Sequence, residues 1–312
     1  MSVTFNTFRH IAGKVRDQGF TLIEILAVIA IISLLMGILL PALGRAHEEG
    51  RCAMCLANVR RISMAGTIYA LENDGFFPPF RMTKSNPEDT SNFVNRYGRE
   101  KPRWPWFFDH GIGPVINPAP YINNPGDTFG DSDTLIMTND FFMCPSFRHR
   151  DFDKRDIRNG SYGYNYQYLG NTRTETDGDT IIFKNFPVHM LNIHRPVETI
   201  IIADSRGASE GRGRSISHGR HSYTLDPPRL ARSKGAQNFA HKSQSGLDNQ
   251  HSPAEARHSR KVNVSFLDGH AAKMTLKEMG YALDSDGYVI ADDPAGTNRL
   301  WTGTGHDEPQ AN

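Results

Sequence analysis

The sequence predicts an α+β protein in which a long N-terminal helix packs on an antiparallel β head that carries long loops. An apolar run from Ile25 to Leu40 follows a short basic segment, and apolar or small residues then recur at helical spacing as far as Tyr69. Near the C-terminus, apolar and polar residues alternate before an Asp-Gly pair, which predicts a β-hairpin. With 38% hydrophobic residues, the 312-residue chain can form one globular core besides the N-terminal helix.

The first element is a basic leader, residues 1–19, and the second is a membrane-spanning helix, residues 20–43. The leader carries three basic residues and one acid, Arg9, Lys14, Arg16 and Asp17. A basic flank stays cytoplasmic, so the chain beyond Leu40 is predicted to cross the membrane. At about 1.5 Å per residue, residues 20–43 extend roughly 36 Å, which exceeds a hydrocarbon core of about 30 Å. We therefore predict a single-pass protein of the inner (cytoplasmic) membrane with an extracytoplasmic head.

One acid, Glu24, lies within this helix near its cytoplasmic end. A charged side chain at the bilayer centre costs about 2.5–3.5 kcal/mol, so such a residue usually has a partner and a role. If the chain is cut before Phe20, the new amino group is a natural partner. An uncleaved signal anchor, in which Glu24 only reaches the membrane interface, is the alternative.

The hexapeptide Gly19-Phe20-Thr21-Leu22-Ile23-Glu24, followed by an apolar helix, resembles the cleavage and methylation site of type IV prepilins and type II secretion pseudopilins. The resemblance implies that a membrane prepilin peptidase cuts between Gly19 and Phe20 and N-methylates Phe20. It also implies that Glu24 pairs with the Phe20 amine of a neighbouring subunit during assembly.

An amphipathic continuation of the helix is predicted over residues 44–75, with Asn73-Asp74-Gly75 as its stop. The resemblance implies that this part lies against a globular head, residues 76–312, as in pilin folds. The segment from Cys55 to Pro79 also resembles the post-anchor region of a pilin-like bacterial family that carries a C-terminal H-X9-DG element.

That element is present within residues 258–274: His258 is followed by nine residues and then by Asp268-Gly269. The alternation over 262–266 predicts a half-buried strand, Asp-Gly predicts a two-residue type I′ turn, and 271–274 can return as the second strand. The favoured interpretation of His258, Asp268 and Gly269 is architectural. A metal or partner role for His258, Asp268 and His270 is the alternative.

The middle of the chain has less periodicity. Residues 76–145 are rich in Pro, Gly and aromatics, which predicts long ordered loops held by buried aromatic side chains. A buried strand is expected at 199–203. Residues 205–257 are polar and are predicted to form an insertion, mobile or lying over the head. For five clustered histidines, solvated side chains are favoured over a metal site: His218, His221, His241, His251 and His258.

Three cysteines leave several possibilities open. Cys52 and Cys55 form a C-x-x-C that, with Cys144 and a histidine, could bind zinc. Because both thiols lie on the apolar stripe of the helix, small core residues are the favoured interpretation. A disulfide from Cys52 or Cys55 to Cys144 is a further alternative.

No cofactor is expected. Calcium at the carboxylates Asp74, Asp204 or Asp268 is considered, but no EF-hand-like spacing supports it. The sequence contains neither a Gly-rich phosphate loop nor a nucleophile elbow, so no catalytic residue is predicted and the chain is not expected to be an enzyme. A net charge of +1 argues against a nucleic-acid partner.

The resemblance implies a structural subunit of a type II secretion pseudopilus or a type IV pilus-like fibre. Its partners would be prepilin peptidase, other pilin or pseudopilin subunits and an inner-membrane assembly platform. The alternative is a membrane-tethered protein whose head binds a glycan or another surface ligand.

Overall fold

The computed structural model describes residues 21–79, 104–108, 139–147, 161–170, 172–177, 180–185, 187–210, 217–220, 224–229, 252–290 and 292–307. The chain divides into two compact units, Met1–His47 and Glu48–Asn312. The division falls inside the predicted helix, whose residues from 48 onward belong to the second unit.

The N-terminal helix α1 spans Leu22–Glu72, which confirms the predicted long helix. It ends where the sequence indicates a stop. Asp74 and Gly75 adopt left-handed backbone conformations, with φ of 50° and 83°. The Gly75 N–H donates to the carbonyl of Ala70 at 2.7 Å, and the Asn73 side chain donates to the carbonyl of Tyr69 at 2.8 Å. These bonds satisfy carbonyl groups that the last helical turn would otherwise leave unpaired.

The described chain contains eight strands: β1 (Tyr162–Tyr164), β2 (Thr172–Asp177), β3 (Thr180–Asn185), β4 (Ile200–Asp204), β5 (Ala208–Glu210), β6 (Ser217–Arg220), β7 (Val262–Phe266) and β8 (Ala271–Met274). Strands β1, β4, β7 and β8 form an antiparallel sheet in that order. The pairs β2–β3 and β5–β6 form separate two-stranded sheets. The helix and the four-stranded sheet confirm the predicted α+β class.

Short helical segments complete the described elements. A four-residue helix, α2, spans Trp104–Phe107, and one π-helical turn spans Tyr166–Gly170. Three 3-10 turns lie at Asp140–Phe142, Met190–Asn192 and Pro196–Glu198.

Both faces of the four-stranded sheet are covered. On one side, residues of α1 such as Val59 and Ile62 share a hydrophobic cluster with Ile201, Ile202 and buried aromatic side chains of the loops. These aromatics include Trp104, Phe107, Phe108 and Phe142. On the other side, Val262, Val264 and Phe266 pack with the C-terminal residues Met279, Tyr281 and Trp301. The second half of α1 therefore supplies part of the head's own core.

The prediction that β7 is half-buried is wrong, because all five of its residues are buried. Its polar residues face groups that bind them. The Asn263 side chain donates to the carbonyl of Cys52 at 3.2 Å, and the Ser265 hydroxyl donates to the carbonyl of Ile202 at 3.3 Å. Small polar side chains can thus be buried on this face, since their hydrogen bonds offset the loss of water.

The turn after β7 also differs from the prediction. Gly269 has a φ of 87°, but Asp268 does not have a positive φ, so the pair does not form a type I′ turn. The Gly269 N–H donates to the Phe266 carbonyl at 3.0 Å, and the Phe266 N–H donates to the His270 carbonyl at 3.0 Å. These bonds close a three-residue loop in which only the last residue needs the left-handed conformation.

Parts of the predicted 205–257 insertion are buried and hydrogen bonded. Leu225 belongs to the core, and its N–H donates to the carbonyl of Tyr164 at 3.2 Å. The carboxylate of Asp226 accepts a hydrogen bond from the backbone N–H of Ser252 at 2.8 Å. These described parts of the segment therefore contribute to the packing of the head.

Candidate functional site

Helix α1 begins with a reciprocal cap formed by two side chains. Gly19 and Phe20 lie outside the described residues, but Thr21 and Glu24 are described. The Glu24 carboxylate accepts hydrogen bonds from the backbone N–H and the hydroxyl of Thr21, both at 2.8 Å. The backbone N–H of Glu24 donates to the Thr21 hydroxyl at 3.3 Å. This is a capping box, and its T-x-x-E signal, Thr21 to Glu24, is present in the sequence although it was not predicted.

The first unit presents apolar side chains outward. Between Leu22 and Leu43, its large hydrophobic residues are 44–85% exposed. The helix is long and apolar enough to cross a membrane by length and composition. An exposed apolar surface of this kind suggests a single-pass membrane anchor.

The structure gives the members of the H-X9-DG element different surroundings. His258 is only 1% exposed, so the prediction that it is solvated is wrong. Asp268 lies at the exposed hairpin turn and pairs with the His270 ring at 2.6 Å, while that ring stacks on Phe266. His221, His241 and His251 lie outside the described residues.

His258 instead joins a buried cluster with Cys55, Cys144 and Asp204. Each of the four side chains offers one potential metal-binding atom, and these atoms all lie within 4.8 Å of one another. The Cys55 thiol donates to Asp204 Oδ1 at 3.2 Å, and Cys144 Sγ lies 3.3 Å from His258 Nε2. His258 Nε2 lies 3.6 Å from Asp204 Oδ2. We call these four residues the Cys-Asp-His cluster.

Four separate elements supply the cluster. Cys55 comes from α1, Cys144 follows the 3-10 turn at Asp140–Phe142, Asp204 ends β4, and His258 precedes β7. The order β1-β4-β7 in the sheet brings the end of β4 beside the start of β7. Helix α1 packs over this region, which places Cys55 against both strands.

Neighbouring groups orient the four side chains. Asp204 Oδ2 accepts a hydrogen bond from the backbone N–H of Asn263 at 2.8 Å, and the Tyr162 hydroxyl donates to Cys55 Sγ at 3.3 Å. On the far side of the imidazole, His258 Nδ1 lies 3.5 Å from a carboxylate oxygen of Glu48. No hydrogen bond within the described chain satisfies this buried nitrogen.

Burial and charge shift the ionisation of the cluster. Burial raises the pKa of Asp204 to about 6, although the charge of Arg257 opposes this. The neighbouring Cys55 lowers the pKa of Cys144; burial opposes this, and the hydrogen bond with His258 adds to the lowering. Burial lowers the pKa of His258, but the hydrogen bond with Cys144 and the charge of Asp204 outweigh burial and raise it. Burial raises the pKa of the Cys55 thiol.

The remaining cysteine lies apart from the cluster. Cys52 is buried one turn earlier on α1, and its thiol donates to the Asn263 side chain at 3.6 Å. All three cysteines are free and buried, so the predicted core placement of Cys52 and Cys55 is confirmed and the alternative disulfide to Cys144 is not formed. The sequence suggested a zinc site formed by Cys52, Cys55, Cys144 and a histidine. Nothing in the sequence indicated that Asp204, and not Cys52, is the fourth residue of the cluster.

The comparison with protein families locates one match. Residues 14–40 match the prokaryotic N-terminal methylation motif. Neither a curated protein nor a solved structure gives a match to the chain. The motif, together with the apolar helix that follows it, supports a type IV pilin-like protein.

More particularly, the motif supports a subunit of the pilin or pseudopilin type, a structural rather than a catalytic class. It implies processing by prepilin peptidase and assembly with other pilin subunits.

Proposed function

We propose that this protein is a structural subunit that is cleaved after Gly19, N-methylated on Phe20 and assembled through its N-terminal helix into a pseudopilus or pilus-like fibre. The observation that carries the proposal is the methylation motif at residues 14–40. The exposed apolar surface of residues 22–43 adds support, because neighbouring subunits or lipid would cover it. The subunit is anchored in the inner membrane with its head outside the cytoplasm, and it enters the fibre through contacts with an inner-membrane assembly platform.

Processing is tested by mass spectrometry of the protein extracted from membranes. We expect the mature chain to begin with an N-methylated Phe20. Gly19→Ala should accumulate the precursor, because the peptidase implied by the motif needs a very small residue before the cut. A wild-type chain that still begins at Met1 would contradict the proposal.

Assembly is tested at Glu24, where the capping box allows two roles to be separated. Glutamine can replace glutamate in a capping box, but it carries no charge. If the Glu24 carboxylate pairs with the Phe20 amine of a neighbouring subunit, Glu24→Gln and Glu24→Ala should both be inserted and cleaved, yet both should be depleted from sheared fibres. If Glu24→Gln enters fibres like the wild type, the residue acts as a helix cap and the charge pairing is wrong.

The type of fibre is tested by its location. A pilus-like fibre would release the subunit into the sheared extracellular fraction, whereas a pseudopilus would keep it in the envelope and its loss would block secretion of a protein substrate. If detergent extracts contain the subunit only as single chains, with no fibre in either fraction, the protein is a membrane-tethered head and not an assembly subunit.

A further inference from the structure

We propose that the Cys-Asp-His cluster is a structural zinc site that fastens residues 48–72 of α1 to the sheet of the head. The site is independent of the fibre proposed above, because all four of its residues belong to the second unit.

The distances between the donor atoms fit one tetrahedral ion. Zinc binds sulfur at about 2.3 Å and nitrogen or oxygen at about 2.0–2.2 Å, so neighbouring ligand atoms in a tetrahedron lie roughly 3.3–3.8 Å apart. Cys55 Sγ lies 3.2 Å from Asp204 Oδ1, and His258 Nε2 lies 3.6 Å from Asp204 Oδ2. Cys144 Sγ lies 3.3 Å from His258 Nε2. Because all the donor atoms lie within 4.8 Å of one another, shifts of about 1 Å or less would bring the four side chains around one ion.

The donor set selects the kind of ion. Two thiolates and an imidazole favour zinc over hard cations, which prefer oxygen ligands. Calcium takes six to eight oxygen atoms, whereas the cluster offers one carboxylate, so calcium does not fit at Asp204. All four ligands would come from the protein and all are buried, which is the arrangement of structural rather than catalytic zinc sites.

A further observation, independent of the donor distances, is that no hydrogen bond within the described chain satisfies the buried Nδ1 of His258. A histidine that binds a metal through Nε2 usually donates its Nδ1 proton to a carboxylate, which fixes the orientation of the ring. Here Nε2 faces Cys144 and Asp204, while the unsatisfied Nδ1 faces Glu48 at 3.5 Å. The Ser146 hydroxyl donates to the same Glu48 oxygen at 3.1 Å and holds that carboxylate in place.

The charges of the ligands also favour a bound cation. Two thiolates and one carboxylate bring three negative charges into the interior, which is costly unless cations neutralise them. Zinc supplies two positive charges. The buried Arg257 guanidinium lies 3.9 Å from Asp204 and adds to the neutralisation, although it also pairs with Glu255 at 2.8 Å.

The site would join parts of the chain that are far apart in sequence. Cys55 and Asp204 are separated by 149 residues, and Cys144 and His258 by 114 residues. Because these residues come together only in the folded chain, the free energy of metal binding adds to the free energy of folding.

The first test measures the zinc content of full-length protein purified in detergent without chelator. We expect about one zinc ion per chain in the wild type. Cys55→Ser should lose the metal, whereas Cys52→Ser should keep it, because Cys52 is a buried cysteine of the same helix outside the cluster. Zinc content that is the same in both variants would overturn the proposal.

The second test needs no ligand substitution. Wild-type protein stripped of metal and titrated with Co²⁺ should develop thiolate charge-transfer absorption and the ligand-field bands of a tetrahedral ion. In competition with a chelator, Glu48→Gln should weaken zinc binding about 10- to 100-fold, since it alters the group that orients His258. Glu49→Gln is the matched control, because Glu49 pairs with Lys273 at the exposed surface.

Mass spectrometry of the unreduced protein shows whether Cys55 and Cys144 are free thiols or form a disulfide. A Cys55–Cys144 disulfide in the native protein would consume both thiolates and refute the site. Free thiols in a native protein that takes up neither zinc nor cobalt would refute it as well.

Discussion

The most direct test of the architectural interpretation of the H-X9-DG element is a series of substitutions at Gly269. Gly269 closes the loop between β7 and β8 with a φ of 87°, a conformation that residues with a side chain rarely adopt. A Cβ atom at this position would meet only Met64 Cγ, at 3.9 Å, which is ordinary van der Waals contact. The cost of a substitution is therefore conformational, without a steric clash.

Because only the backbone conformation is affected, the loss of stability should depend on how well each new residue tolerates a positive φ. Gly269→Ala should destabilise the protein by about 1–2 kcal/mol, the cost of the left-handed conformation for a residue with a Cβ. Gly269→Val should cost roughly 1–3 kcal/mol and more than alanine, because branching at Cβ adds strain. Gly269→Asn should cost least, since asparagine tolerates this conformation best among residues with side chains.

Urea unfolding of full-length protein in detergent measures the series. It is followed by tryptophan fluorescence, to which the buried Trp104 and Trp301 contribute. Gly163→Ala provides the contrast, because its Cβ would lie 2.3 Å from the carbonyl oxygen of Thr224 and must displace backbone. It should shift the midpoint further than Gly269→Ala. If Gly269→Asn destabilises the protein as much as Gly269→Val, the backbone conformation is not what glycine contributes.

Three further predictions concern stability. Trp301→Ala should cost about 3–5 kcal/mol in urea unfolding, because the ring is fully buried against Met279 and Tyr281; a loss below about 1 kcal/mol would contradict this packing. Ser63→Ala should cost only about 0.5–1.5 kcal/mol, since the Phe266 carbonyl that Ser63 binds at 2.8 Å still accepts from Gly269; a much larger loss would mean that the carbonyl is left unsatisfied. Although slight burial opposes it, hydrogen bonding to His270 lowers the pKa of Asp268. The ionised Asp268 carboxylate therefore stabilises the folded state fully above its unfolded-state pKa, and this stabilisation is lost as the pH falls through its folded-state pKa. Asp268→Asn should lower the melting temperature at neutral pH, and the difference should shrink below about pH 4; a difference that does not change with pH would exclude the charge as its cause.

Local sequence patterns were sufficient for the elements whose structure depends on neighbouring residues. The apolar run and the helical spacing predicted α1, and Asn73-Asp74-Gly75 predicted its end within a residue of where it lies. The second strand of the hairpin was predicted with its observed bounds, Ala271–Met274. These signals are reliable because the periods of a helix and a strand repeat every few residues.

The same patterns failed where burial depends on a partner from elsewhere in the chain. Alternation over 262–266 indicates one polar face, but α1 covers that face and makes β7 buried throughout. The Asp-Gly pair predicted a two-residue turn, but the pairing of Ser265 with Ala271 leaves a three-residue loop inside the closing pair of Phe266 and His270.

The sequence alone indicated the N-terminal class of this protein, because the methylation motif and the apolar helix are contiguous and depend on neighbouring residues. The burial of His258 and its meeting with Cys55, Cys144 and Asp204 were decided only by tertiary structure. Their sequence separations carry no periodic signal, and what brings them together is the order of the strands in the sheet and the packing of α1 across it.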